Sequence, residues 1–407
     1  MRPTLALLHR YLGLFIAVFL FISGLTGAVI SWDHELDEAL NPQLFKNSTP
    51  GPAQDPLRLA NALEKSDHRL RVSWMPLQVE PGHALLMSVE PRLDPATGKA
   101  YPLDFNQIAL DPVTGAIQGQ RFWGAVSLSR ENLLPFLYKL HYTLHIPDGF
   151  GLELGMIFMG IIAVTWVLDS FVALWISFPS RRVWKKSFAF RWRKGGQALN
   201  YDAHRSGGVW VWPVLIVIAV TSVSLNLGQE VMRPVVSVFS DLQETPFTSR
   251  KPRPFDEPQD PLVSREQILA TARTEAAARG WSDPAGGIFF SSMFSVYGVG
   301  FYTPENDHGD GGLGNPWLYV DSQTGAGAGN TIPGTGSAGD IFLQAQFPLH
   351  SGRILGLPGR ILISFMGAVV AMLSVTGLVI WARKRRTRYR LAQRQQALAG
   401  NGDAVAE

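Results

Sequence analysis

The chain alternates between two kinds of pattern. Four uninterrupted apolar runs, at 12–32, 154–178, 207–227 and 361–382, are set between longer stretches in which charged and apolar residues mix. Three of the runs carry no charge, and the run at 154–178 holds only Asp169. A helix of about 20 apolar residues crosses a hydrocarbon core of about 30 Å, so each run predicts a membrane span. The first run is long for a signal-peptide core and no small-residue cleavage site follows it, which predicts a retained anchor. In the mixed stretches, amphipathic helix patterns at 56–67 and 265–279 each lead into short strand-like runs. Each of these stretches also contains an Asp-x-x-Thr-Gly turn, "DPVTG" at 111–115 and "DSQTG" at 321–325.

The two halves of the chain can be laid over each other. "HRYLGLFIAVFLFISGLTGAV" from His9 and "HRSGGVWVWPVLIVIAVTSVS" from His204 align on their His-Arg pairs and bring Thr26 and Thr221 to the same offset. Leu140-His141 and Leu349-His350 each precede a glycine-containing turn and an apolar run. The expected fold is a membrane α-helical one: a four-helix transmembrane bundle carrying two outer α+β modules, with an internal pseudo-twofold repeat. The expected divisions are 1–32 (N-terminus and first span), 33–140 (first module), 141–178 (second span) and 179–206 (basic connection). They continue with 207–227 (third span), 228–349 (second module), 350–382 (fourth span) and 383–407 (basic tail).

Charge gives these elements a direction. The connection at 179–206 holds Arg181, Arg182, Lys185, Lys186, Arg191, Arg193, Lys194 and Arg205, and the tail begins "RKRRTRYR". The positive-inside rule then puts both termini and this connection in the cytoplasm and the two modules outside. The net charge of +3 comes from this topology, so a lipid bilayer is implied as a partner and nucleic acid is not. The chain has no cysteine, which leaves the modules without disulfides and excludes thiolate-held iron–sulfur clusters and covalently attached c-type haem.

On parallel first and third spans, His9 stands opposite His204 at the cytoplasmic face. His141 likewise stands opposite His350 at the outer face. Imidazoles buried near lipid are costly and usually functional. Two opposed imidazoles can take both axial positions of a haem iron in an apolar slot between helices, which predicts two haem b groups. A polar cap on a helix end explains any one of these histidines but not four in matched positions. His141 and His145, at i and i+4, also share a helix face and could clasp zinc, although no third ligand stands beside them. Asp169 fits either a hydrogen bond to a neighbouring helix or a proton path. Arg353 and Arg360 are candidates to hold haem propionates or to reach the interface. The loop "PENDHGDGGLGN" at 304–315 reads as a flexible surface loop, with contact to a ligand as the alternative, and His34, His68, His83 and His308 as surface or packing residues.

"LHRYLGL", "SGLTG", "LDPVTG", "LHYTLHIP", "DAHRSGG", "LHSGRILGLPGR" and "VTGLVIWARKRR" follow one another over nearly the whole chain. In that order they resemble the PepSY-associated transmembrane family, and within it the FoxB-type inner-membrane siderophore reductases. The resemblance implies periplasmic PepSY-like modules on a four-span dihaem protein of the bacterial inner membrane. It further implies an oxidoreductase that passes electrons from an unidentified cytoplasmic donor to the iron of a periplasmic ferric siderophore. The family's span histidines fall on His9, His141, His204 and His350. His145 belongs to the "HYxLH" form of the motif and either replaces His141 as ligand or stands beside the haem facing the substrate as the catalytic group. The alternatives are a haem protein with another acceptor, such as a quinone or another metal chelate, and a non-redox membrane scaffold that regulates a peptidase. A transporter would need more spans or broken helices, and Pro213 is the only proline inside a span.

Overall fold

The computed structural model of the chain describes residues 2–254 and 257–403. Eight helices frame the bundle and the sheet: α1 (Arg2–Ile30), α2 (Pro56–Ser66), α3 (Leu133–Thr143), α4 (Leu154–Ser177), α5 (Gly196–Asn226), α6 (Arg265–Ala278), α7 (Gln346–Ser351) and α8 (Leu357–Asp403). Of these, α1, α4, α5 and α8 are long and apolar enough to cross a membrane. Helices α1, α5 and α8 extend beyond the apolar runs that mark them. The first begins at Arg2, so His9 lies inside a helix rather than ahead of one, and the last carries the basic "RKRRTRYR" as continuous helix. The second span begins at Leu154, and His141 belongs to the separate, shorter α3.

Glycines decide how closely the spans meet. A Cβ built on Gly24 of α1 would lie 2.6 Å from the carbonyl oxygen of Gly367 in α8, and one on Gly367 would strike Gly24 in return. The two backbones therefore touch, as small residues permit in a medium where apolar side chains gain nothing by leaving lipid.

Outside the bundle, eight strands form one antiparallel sheet in the order β4-β3-β2-β1-β5-β6-β7-β8. The strands are β1 (Leu70–Pro76), β2 (Leu85–Pro91), β3 (Gln107–Leu110), β4 (Ile117–Arg121), β5 (Ala285–Ser291), β6 (Val296–Phe301), β7 (Trp317–Asp321) and β8 (Gly327–Thr331). Two meanders of hairpin-connected strands are joined where β1 pairs with β5, with Trp74 opposite Phe289, Met75 opposite Ile288 and Pro76 opposite Gly287. The two expected modules are thus halves of a single sheet. Alternation along β2 turns Leu85, Met87 and Val89 inward. There they join Leu59 and Leu63 of α2, Ile268 and Leu269 of α6, and Ile288 and Val299 of the other half in one core. Capping fixes where both helices start: Asp55 accepts from the Leu57 N–H, and Ser264 forms a capping box with Gln267.

Charged pairs bind the two halves together. Arg265 of α6 bonds Glu64 of α2 and donates to the Val72 carbonyl at 3.0 Å. Arg71 is 1% exposed, donates to Glu90 at 2.6 Å, also reaches Asp260, and lies 4.7 Å over the Phe290 ring. Removing one member of such a buried set strands the other and costs about 3–5 kcal/mol. Each half also closes its third hairpin alike. Asp111 accepts from the N–H groups of Val113 and Thr114, and Asp321 from those of Gln323 and Thr324. Left-handed glycines follow, Gly115 at φ 77° and Gly325 at φ 75°.

Gly24→Ala, which must push α1 off α8, should destabilise the detergent-solubilised protein by about 1–3 kcal/mol. Gly208→Ala, whose new methyl would meet only Leu373 at 3.8 Å, should be neutral or slightly stabilising in thermal unfolding. Acid should act on the sheet through Asp111. Burial opposes its charge, but the Thr49 hydroxyl and the Thr114 and Val113 amides outweigh burial and hold its carboxyl far below the usual range. A carboxylate lowered on folding contributes stability above its unfolded value of about 3.9 and loses it as pH falls further. Tryptophan fluorescence should therefore show stability holding to about pH 4 and then falling, and Asp111→Asn should be less stable at neutral pH with a shallower acid limb.

Candidate functional site

Four histidines come together as two pairs. His9 sits within α1, and His204 in a π-helical turn, Ala203–Gly207, inside α5. Such turns widen a helix locally and re-aim its side chains. The His9 and His204 ring centroids are 6.2 Å apart. At the end of the bundle nearer the sheet, His141 lies in the last turn of α3 and His350 in α7, with centroids 6.1 Å apart. His141 packs beside Ser23 and Thr26 of α1, so about 25 Å of helix rise separates its level from that of His9.

Each ring is held through Nδ1. His141 Nδ1 donates to the Ser23 carbonyl at 2.9 Å, with the Thr26 hydroxyl at 3.1 Å. His350 Nδ1 donates to the Thr221 hydroxyl at 3.0 Å, and His204 Nδ1 to the Leu373 carbonyl at 3.0 Å with Thr376 at 3.1 Å. Thr26, Thr221 and Thr376 direct their own hydroxyl protons to carbonyls one turn back on their helices, leaving an oxygen lone pair for the imidazole. His9 Nδ1 donates to both oxygens of Asp169, at 2.9 and 3.0 Å. Asp169, open in the sequence between a hydrogen bond and a proton path, thus makes a hydrogen bond to His9. With every Nδ1 acting as donor, every Nε2 carries a free lone pair. Two glycines make room for the rings: a Cβ on Gly27 would lie 2.9 Å from His141 Cε1, and one on Gly377 2.9 Å from His204 Cε1.

His141 and His350 line a cavity of about 410 Å³. Its walls are apolar, with Leu20, Met159, Ile162, Trp166 and Val370 drawn from α1, α4 and α8 and Ile218 from α5. Its mouth is polar, with Asp33, Tyr138, Tyr142, His308 and Arg353. Burial there pushes the Asp33 carboxyl above its ordinary value, against the pull of His308 and Arg353.

The other candidates fall in different places. Arg353 lines the mouth and pairs with Asp310 at 2.9 Å. Arg360 points instead to the Ser31 carbonyl at 2.8 Å and to Glu35 at 2.7 Å, stacked 4.6 Å over Trp32. His145 does not share a helix face with His141. Helix α3 ends at Thr143, Leu144 and His145 both take φ near 54°, and the chain turns back. His145 Nε2 then donates to the Phe136 carbonyl at 2.9 Å while its ring stacks on Phe136 at 4.6 Å. The i, i+4 spacing could not reveal this, because it presumes that the helix continues. His308, read as a surface or packing residue, is exposed and also lines the cavity mouth. Its loop is tied down by the Asp310–Arg353 pair and by the Gly311 N–H on the Arg353 carbonyl at 2.8 Å. Among the described residues, no group of three or more His, Asp or Glu side chains is placed to hold a metal ion. The sites are pairs.

A family model described as the PepSY-associated TM region matches residues 6–384. No curated protein matches the chain. The matched stretch contains all four spans, the whole sheet and both histidine pairs, and the chain belongs to the family of the PepSY-associated TM region.

Proposed function

We propose that the chain is a dihaem membrane reductase that passes electrons from a cytoplasmic donor to the iron of a periplasmic ferric siderophore. The observation that carries this is the pairing of four imidazoles whose Nδ1 atoms are all engaged, which leaves Nε2 for a metal. The spacing fits. A metal–imidazole bond is about 2 Å, so two imidazoles that shared one metal ion would have ring centroids about 6 Å apart. The observed separations are 6.2 and 6.1 Å. His9 with His204, and His141 with His350, would hold two haem b groups, non-covalently because the chain has no cysteine. Bound there, haem supplies one-electron exchange between ferric and ferrous iron. The chain's own work is to fix the rings, to exclude water with the apolar walls, and to offer Arg353 at the mouth to a propionate. Arg360, already engaged with Glu35, braces α8 against the end of α1. His145 closes α3 by its bond to Phe136 and leaves the ligand position to His141.

In this reading the basic 179–206 connection and the tail face the cytoplasm of a bacterial inner membrane and the sheet faces the periplasm. The chain is a duplicated unit with a pseudo-twofold axis through the β1–β5 junction. Thr221 follows His204 at the distance at which Thr26 follows His9, and each threonine accepts from the histidine at the sheet end of its half. For the siderophore, gaining one electron turns Fe(III) into Fe(II), which hard oxygen donors hold far less tightly. The metal is then released without the chelate crossing the membrane.

The purified protein should show a low-spin b-type spectrum at about two haems per chain. His204→Ala and Gly377→Leu should each lower that to about one, as should His350→Ala and Gly27→Leu, whereas His145→Ala should keep two. A colourless protein expressed with ample haem would sink the redox reading and favour the peptidase-regulating scaffold. Dithionite-reduced protein mixed with ferric siderophores under argon should reoxidise with Fe(II) appearing at one per electron. Reoxidation by quinones alone would move the assignment to the other acceptor class.

A further inference from the structure

The four imidazoles are held by unequal partners. Three donate to neutral oxygens: a carbonyl for His141 and His204, and a hydroxyl for His350. Only His9 donates to a carboxylate, and both oxygens of Asp169 lie within 3.0 Å of its Nδ1. Asp169 is 5% exposed and comes from a different span, so its charge is directed at this ring and poorly screened. A buried carboxylate in an apolar helix is costly, and among the described residues its hydrogen-bond partner is His9.

We infer that Asp169 is a positioning residue that makes the His9–His204 centre the more reducing of the two and so gives electron flow its direction. The inference rests on the dihaem reading. A charge-assisted bond to Nδ1 raises the electron density at Nε2 and makes His9 a stronger donor. Stronger donation and a nearby negative charge both favour ferric over ferrous iron, which lowers the potential of that centre. The centre near the sheet has only neutral partners and sits higher. One electron entering at His9–His204 therefore runs downhill to His141–His350, with no atom transferred, and its return is disfavoured.

The test is a redox titration of the purified full-length protein, followed optically, with haem counted on every sample first. Wild type should show two midpoints. Asp169→Asn, which keeps a polar group but removes the charge, should keep two haems and raise the lower midpoint alone. A tenfold change in the ferric-to-ferrous preference corresponds to 59 mV for one electron. Asp169→Glu should return the midpoint toward wild type. His204→Ala provides a second route that does not depend on the Asn variant folding: the single centre left should titrate at the higher wild-type midpoint. Two haems with an unmoved lower midpoint in Asp169→Asn would overturn the inference and leave the dihaem reading standing. So would a lower-midpoint survivor in His204→Ala. Wild-type protein without haem would overturn the dihaem reading itself, and this inference with it.

Discussion

An imidazole presents one nitrogen reliably only when the other is held. That constraint organises the bundle. Each of the four rings reaches across to a neighbouring span for its Nδ1 partner, so the helices must lie at a fixed height and rotation relative to one another. His9 needs α4 for Asp169, and His204 needs α8 for Leu373 and Thr376. His141 needs α1 and His350 needs α5. A span that slid by one turn, about 5.4 Å, would break its bond and turn the ring's tautomer loose.

Packing supplies the stiffness that those bonds require. In lipid the hydrophobic effect does not press helices together, so register comes from close backbone contact and from shape. The Gly24–Gly367 crossing of α1 on α8 provides it beside the cavity, and Gly27 and Gly377 keep the space that the imidazoles of His141 and His204 occupy. On the sheet side, ordinary hydrophobic burial takes over. The single core under α2 and α6, with Arg71 and Arg265 paired inside it, makes both outer halves one rigid platform. The chain leaves the sheet after β4 and β8 to form α3 and α7, the short helices that carry His141 and His350, and Trp123 just past β4 packs on Tyr138 of α3.

Much of this was legible in the sequence, and the limits have physical causes. Apolar runs of span length with at most one charge can hardly be anything but membrane helices, so α1, α4, α5 and α8 were plain. The histidine pairs were legible because two signals agreed: costly residues near lipid, and matched positions in two halves. The merging of the modules was not, because a strand pattern tells which face is buried and says nothing of which edge strand it will meet. The turn at Leu144 and His145 was missed because nothing in "HYTLHIP" forbids helix before Pro147; the left-handed φ values go with the stacking of His145 on Phe136, a contact that spacing alone does not reveal. His308 is exposed, as its surface reading has it, but its place at the cavity mouth was not legible. Its loop is rich in glycine and polar residues, the composition of a free loop, and only the distant Arg353 pins it to the cavity.

If the two halves were exact copies about an axis along the membrane normal, the two histidines of each pair would be equivalent, while the two ends of the bundle would still differ. What breaks the equivalence lies at the histidines themselves. One half answers its spanning histidine with the carboxylate of Asp169, the other with a carbonyl and a hydroxyl. Both halves follow the sheet-side histidine with a left-handed residue, Leu144 in one and Gly352 in the other, but the second half alone sends a glycine-rich loop to the cavity mouth, where His308 and Arg353 stand. These departures fall at opposite ends of the bundle, the charge at the His9–His204 end and the polar mouth at the sheet end. The two pairs lie at different depths because each half carries a histidine at both ends of the bundle. The carboxylate at one end and the polar mouth at the other add to the difference between them, and a difference between stations is what any directed transfer across a membrane requires.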